Sequence, residues 1–351
     1  MLQNVDYCPV LHTRVAEIKA LANLGAATKD RIFPLLVARP WPNAKALSRT
    51  WEKITDAVGE RRFAIDLDRT REASTASTAA ALDFSNLFLP NNGFENYYSE
   101  VSDIPFAVPV FRLAGDAATE FAEQVAHIEA IDRGVVLRLE YGRVSDPVSL
   151  VQNVKSEIED VAIFVDMGWS KDLLSRQAWA SSIIAGIANL EPEAEMVLTG
   201  SSFPDSFTGI GARGTVPILE RELHARLVRE HNAANIVYGD WGSTRPPSVE
   251  SGPMRNTPRI DLPGVTQCLC FRKDGSEGYQ EIARRMMSDN AWPVGLQIWG
   301  TYTVECTAQG IPGAIRSAGT AAAARVNIHM HHQVHTTSPD LASDADEPFV
   351  D

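Results

Sequence analysis

GVVLRLEYGRVSDPVSLVQNVKSEIEDVAIFVDMG, residues 134–168, sets two short apolar runs on either side of a stretch with apolar residues at three- and four-residue steps. The runs GVVLRLEY (134–141) and DVAIFVDMG (160–168) are rich in Val, Ile and Leu and only about eight residues long, the length of buried strands. Between them VSLVQNVKSEIE has helical spacing, so the unit reads strand, helix, strand. The same alternation continues in both directions. Further strands are expected at CPVLHT (8–13), RIFPLLVA (31–38), RFAIDLD (62–68), AVPVFRL (107–113), EMVLTGSS (195–202) and NIVYGDWG (235–242). The intervening stretches, from RVAEIKALANL to ILERELHARLVREH, have helical periodicity. Eight strands alternating with seven helices before residue 250 match an α/β fold of the (β/α)8 TIM type. A doubly wound open sheet is the alternative, weakened because no Gly-rich fingerprint follows the first strand.

Beyond residue 250 the pattern changes. SVESGPMRNTPRIDLPG reads as a Pro- and Gly-bearing excursion over the surface. VTQCLCFRK then reads as a strand, YQEIARRMMSDN as a helix and AGTAAAARVNIHMHHQVH as a closing helix. The expected organisation is a barrel over 1–250, a C-terminal strand/helix extension packed on it over 251–335, and an acidic disordered tail over 336–351. That tail carries five acids and no bases.

The whole chain has 32 Lys and Arg against 45 Asp and Glu, a formal net charge of -13, which disfavours a global basic field for gripping nucleic acid. No segment approaches the roughly 18 consecutive apolar residues of a membrane span, and the first residues lack a signal layout, so a cytoplasmic protein is expected. Cys8, Cys268, Cys270 and Cys306 are too few and scattered for a disulfide framework and read as reduced thiols.

Barrel enzymes place their sites where strands end, so the polar residues there are the candidates. Strand alternation puts Asp66 with Asp68, and Arg138 with Glu140, while Arg112 and Asp166 end their own strands. Asp240, with Tyr238, ends the eighth. The expected mouth therefore holds Asp68, Glu140, Asp166 and Asp240, with Asp66, Arg138 and Arg112 as countercharges. Convergent carboxylates can hold a divalent metal or divide into acid and base. The deeper Asp66 and Arg138 read first as a buried ion pair. His12 ends the first strand, Ser202 the seventh in TGSSFPDS, and both are candidate ligand contacts. His331 and His335, four apart in NIHMHHQVH, would share a helix face, but HExxH is absent.

The residues YCPVL (7–11) with Glu17, FPLL (33–36), IDLD (65–68), LTGSSFP (198–204), ERELHARL (220–227), YGDWGSTRPP (238–247), CLCFRK (268–273), IWG (298–300) and VNIHMHHQV (326–334) resemble the phage-type beta protein family, which also occurs in bacterial genomes. The resemblance spans the chain up to the acidic tail. Its most specific marks are Arg221-Glu222, the GD-aromatic-G segment and the histidine-bearing closing helix. Trp241 stands where a tyrosine is expected, Val37 where a glutamate is frequent and His12 where a lysine is common. The resemblance implies phage genomes and mobile or defence-type loci, and no settled reaction.

On this reading Asp240, Trp241 and Arg245 form one pocket wall, with Arg221 and Glu222 beside it and Arg272 and His331 closing it from the extension. The expected function is a hydrolase or lyase acting on a phosphorylated or nucleotide-like small molecule, with a divalent metal as an open cofactor question. The alternative is a non-catalytic recognition module of phage or anti-phage loci, with a partner protein encoded by a neighbouring gene.

Overall fold

A computed structural model describes residues 1–71, 78–113, 120–232, 234–246 and 257–336. Eleven strands are present among them: β1 (Tyr7–His12), β2 (Leu35–Ala38), β3 (Phe63–Leu67), β4 (Ala107–Pro109), β5 (Val135–Glu140), β6 (Val161–Trp169), β7 (Glu195–Ser201), β8 (Arg213–Pro217), β9 (Asn235–Asp240), β10 (Arg259–Pro263) and β11 (Gln267–Arg272). Eight of them run parallel in the order β4-β3-β2-β1-β9-β7-β6-β5. The two ends of that sheet meet at a bridge between Val110 and Val136, where Phe111 N donates to Val136 O at 2.9 Å. The result is a nearly closed (β/α)8 barrel, and each of the eight expected strands is one of its staves.

Seven helices cover the outside at the expected places: Val15–Ala22, Ser48–Val58, Asn91–Ser102, Phe121–Ile131, Pro147–Glu157, Gln177–Leu190 and Leu219–Glu230. Their starts follow local chemistry. Asp146 caps Pro147–Glu157 by accepting from Ser149 N at 3.1 Å, and Pro147 occupies a first-turn position whose N–H would be unpaired in any case. Alternation divides each stave between two cores. Ile65, Leu67, Leu137, Leu139, Ile163 and Val165 face the helices, whereas Cys8, Val10, Leu35, Val108, Val136, Phe164 and Val197 fill the barrel.

β8, β10 and β11 form a separate antiparallel sheet in the order β10-β11-β8. Two of these strands were not legible in sequence. Arg213–Pro217 is strongly exposed along one face, and Arg259–Pro263 lies in the stretch expected to be a surface excursion. Of that excursion, 248–256 lie outside the described residues, as do 337–351 of the expected acidic tail. The sheet packs with Tyr279–Met287 and Trp299–Gln309 around Ile260, Phe271, Ile282, Ile298 and Trp299. The closing helix, Ala318–Val334, is capped by Ser317, whose side chain accepts from Thr320 N, and joins this second core to the barrel. Val326, Met330 and Val334 enter the barrel-side core, and Asn327 Nδ2 donates to Ala20 O and Asn23 O, each at 3.0 Å. Among the described residues no helix is long and apolar enough to cross a membrane.

Candidate functional site

The upper layer of the barrel interior is charged. Arg138 spans two carboxylates, with Nη1 2.7 Å from Asp66 Oδ2 and Nη2 2.6 Å from Asp166 Oδ2. Arg112 Nη1 closes on the other oxygen of Asp66 at 2.7 Å. Burial alone would raise the Asp66 carboxyl, but Arg138, Arg112 and Arg69 outweigh it and hold the group well below the usual carboxylate range. Burial likewise opposes the charge of Arg138, while Glu140, Asp166 and Asp66 raise its pKa above the ordinary guanidinium value. This network neutralises itself. Asp66 and Asp166 are therefore occupied as countercharges, and the geometry gives Asp166 no spare role as a catalytic carboxylate.

Above this layer lies a cavity of about 160 Å³, lined among others by Asp68, Arg69, Arg138, Glu140, Arg143 and Trp241. Glu140 is partly buried and gathers three guanidiniums: Arg69, Arg143 at 3.3 Å and Arg138 at 3.3 Å. Asp68 is different. Its Oδ1 accepts from Thr70 N at 3.0 Å and from Thr70 Oγ1 at 2.6 Å, but its buried Oδ2 has no hydrogen-bond partner among the described residues. Two further buried atoms at this end of the barrel, Thr199 Oγ1 and Trp241 Nε1, also have no hydrogen-bond partner among the described residues. His12 is buried, with its ring within reach of the Arg245 backbone. The His12 ring lies 5.3 Å from the Trp241 indole, and Arg138 lies 5.2 Å over that same indole. Burial, then the charge of Arg14, lowers the His12 pKa well below its ordinary value, so its imidazole is neutral at pH 7.

Asp240 is not part of this mouth. Along β9 the residues Gly239 and Trp241 face into the barrel, so Tyr238 and Asp240 face out. A side chain at 239 would not fit, since a Cβ there would stand 2.7 Å from Cys8 O and 2.9 Å from Val197 Cγ1. Asp240 Oδ1 accepts from Tyr7 Oη at 2.5 Å and Gly242 N at 2.7 Å, and Oδ2 meets Tyr238 Oη at 2.7 Å and His329 Nε2 at 2.7 Å. Burial would raise its pKa, but His329 and the two phenols bring it down to about 2. Burial and then the Asp240 charge push Tyr7 and Tyr238 well above the ordinary phenol value, so both remain donors.

Beside this cluster, at the seam with the extension, a second cavity of about 20 Å³ is lined by Glu220, Asp240, Trp241, Ser243, Cys268 and His329 among others. It has room for about one water. Glu220 accepts from Ser202 N and from Ser202 Oγ at 2.7 Å, and burial together with Asp240 pushes its pKa up to about 7.

Several other expected contacts lie elsewhere. Ser202 is taken up by Glu220 and by Leu219 N at 3.3 Å, so it fixes the start of Leu219–Glu230. Arg221 lies 3.5 Å over Tyr238 and donates to Gln333 Oε1 and O, holding the closing helix against the barrel. Glu222 is exposed one turn from its partner Arg226 and lines neither of the two cavities described above. Arg272 donates to Phe207 O and Ile210 O, tying down the loop before β8. The His331 ring lies 4.6 Å from that of His335, which meets Thr28 and Arg31 near the opposite end of the barrel. Arg245 lies 5.6 Å over Trp169, close to the ends of β6 and β9. Among the described residues no group of three or more His, Cys, Asp or Glu is placed to hold a metal ion. The expected carboxylate shell does not assemble, because arginines hold Asp166 and Asp240 faces the other way.

Sequence reasoning passed over Tyr7, Glu220 and His329, and at the mouth Arg69, Arg143 and Thr199. His329 carried a signal: it is spaced three from Val326 and one from Met330, both on the face that meets the barrel. Arg69 and Arg143 follow strand-end carboxylates into their loops, which makes them natural mouth residues.

A family model described as Beta protein matches residues 7–335, a span that includes all eleven strands and both cavities. The chain belongs to the beta protein family. Protein beta of Enterobacteria phage P4 is 26% identical over 341 residues, covering 95% of this chain and 94% of that protein. The beta-family match extends from the first stave through the closing helix, so barrel and extension lie together in the part shared with the phage relative.

Proposed function

We propose that the barrel mouth is the functional site and that the protein acts there, as a hydrolase or lyase, on a small phosphate-bearing molecule. The observation that carries this reading is Asp68 Oδ2, a buried acceptor without a partner at the wall of the largest cavity described. Leaving such a group unpaired costs about 1–3 kcal/mol, which a ligand donor would remove. Arg69 and Arg143 at the same cavity supply charge for a phosphate. Asp68 is the acid/base candidate, with the neutral imidazole of His12, whose ring lies 5.3 Å from the cavity-lining Trp241, as the second group. Asp68 takes the role first given to the whole carboxylate ring.

The cavity is small for a complete nucleotide, since ligand pockets commonly run to about 300–1,000 Å³. A compact phosphorylated molecule suits it better than a nucleotide. The test is a thermal-shift screen with phosphorylated small molecules, followed by product analysis by 31P NMR. The expected result is saturable stabilisation in the wild type, lost in folded Asp68→Asn, with turnover of the stabilising compound. No stabilisation by any of them would remove the reading.

The second reading is a non-catalytic recognition module of phage or defence loci. It is favoured by one feature: Asp66, Asp166 and Glu140 are all arginine-bound, which leaves Asp68 as the one carboxylate expected at the mouth with an oxygen open to a ligand. Stabilisation without turnover, together with a stable complex with a protein encoded nearby, would select it.

A further inference from the structure

We infer that the molecule taken at the barrel mouth is a phosphorylated polyhydroxy compound, with its phosphate between Arg69 and Arg143 and one hydroxyl donating to Asp68 Oδ2. This inference rests on the mouth being the ligand site and adds what kind of molecule fits it.

Three features of the cavity define the ligand. The first is the phosphate seat. Arg69 and Arg143 each engage Glu140 through one nitrogen, Nη1 and Nε respectively. No other hydrogen bond or ion pair of either guanidinium is found among the described residues, so each keeps further N–H donors for a second anion. Glu140 thus sets two guanidiniums side by side at the cavity wall without exhausting them.

The second feature is the donor that Asp68 requires. Thr70 satisfies Oδ1 twice, and the buried Oδ2 has no partner among the described residues, so it is open to an O–H or N–H of a ligand. That donor is neutral. Arg69, Arg138 and Arg143 all line the cavity, and Arg39 is within electrostatic reach of Asp68, so an ammonium would enter against several positive charges. A hydroxyl meets the acceptor without that repulsion.

The third feature is size and the apolar wall. Trp241, Leu67 and Val37 line the cavity beside the charged groups. About 160 Å³ accommodates a few carbons with their phosphate. The C–H face of a short polyol or a sugar covers an indole while its hydroxyls point to the polar side.

The test is isothermal titration calorimetry on the full chain with a matched pair, glycerol 3-phosphate and n-propyl phosphate, with inorganic phosphate as a third probe. The pair shares a three-carbon skeleton and differs in two hydroxyls. Wild type is expected to bind glycerol 3-phosphate at least about tenfold more tightly than propyl phosphate, since a site built around a hydroxyl rejects the analogue lacking it. Asp68→Asn should bring the two within about twofold of each other, and Arg69→Gln should weaken all three probes. Equal affinity of wild type for the pair, or a preference that survives Asp68→Asn, overturns the inference and leaves the mouth standing as a phosphate site. Binding of none of the three, or binding unchanged in Arg69→Gln, overturns the phosphate site itself.

Discussion

His329 Nε2 lies 2.7 Å from Asp240 Oδ2, and this contact joins the closing helix to the end of the last barrel stave. Both side chains are buried, and the same carboxylate also holds Tyr7 from the first stave and Tyr238 from its own. Asp240 is therefore a four-donor anchor where barrel seam and extension meet. Its conspicuous strand-end position reflects this structural duty.

Asp240→Asn should destabilise the fold by about 3 kcal/mol, because the amide turns one acceptor into a donor facing Tyr7, Tyr238 or His329. Urea denaturation measures it, and ligand binding per folded molecule should change less than twofold. A stable Asp240→Asn protein that has lost ligand binding would return Asp240 to the site.

The anchor also predicts acid lability. The folded pKa of Asp240, about 2, is below its ordinary value of 3.8, so its contribution is present above pH 4 and is lost as pH falls toward 2. The shift corresponds to about 2 kcal/mol. Stability followed from pH 5 to pH 2 should drop, and Asp240→Asn should remove part of the slope.

Glu17 and Glu220 act in the opposite direction. Burial pushes each up to about 7 from an ordinary 4.5, so the folded state favours their protonated forms. The stability they confer is complete below pH 4.5 and is lost as pH rises through 7. Unfolding free energy should therefore fall between pH 5 and pH 7.5, and Glu220→Gln should flatten the fall by about 1–3 kcal/mol. A pH-independent plateau over that range would contradict the buried, protonated carboxyls.

Arg138→Met leaves Asp66 and Asp166 buried with too little positive charge. It should cost about 3–5 kcal/mol or prevent folding, whereas Asp68→Asn, which keeps the Thr70 contacts through Oδ1, should stay within about 1 kcal/mol of wild type. Chemical denaturation of the two variants tests the contrast. Comparable losses would mean that Asp68 also belongs to the structural network.

The barrel was legible because every stave is a short run bounded by turn residues, and because Asp66 and Asp68 alternate cleanly with Ile65 and Leu67. Phase was harder at β9. Both sets of alternate residues there contain buried aromatic side chains, Tyr238 on one and Trp241 on the other, so hydrophobicity does not tell which set faces inward. The bulk of the neighbouring strands decides it by leaving room only for Gly239. β8 and β10 were hidden for a different reason. Each begins with Arg and ends with Pro, and they gain strand form by pairing with β11 rather than from their own propensity. Asp68 was expected as a mouth residue, but its lack of a partner depends on Thr70 taking only one oxygen, which spacing does not reveal.

The most direct measurement is a crystal structure of the protein grown with glycerol 3-phosphate. The account predicts the phosphate between Arg69 and Arg143 and a hydroxyl within about 3 Å of Asp68 Oδ2, with the Asp240–His329 contact unchanged. Ligand at the seam against Glu220 and His329, with the mouth holding none, would contradict it.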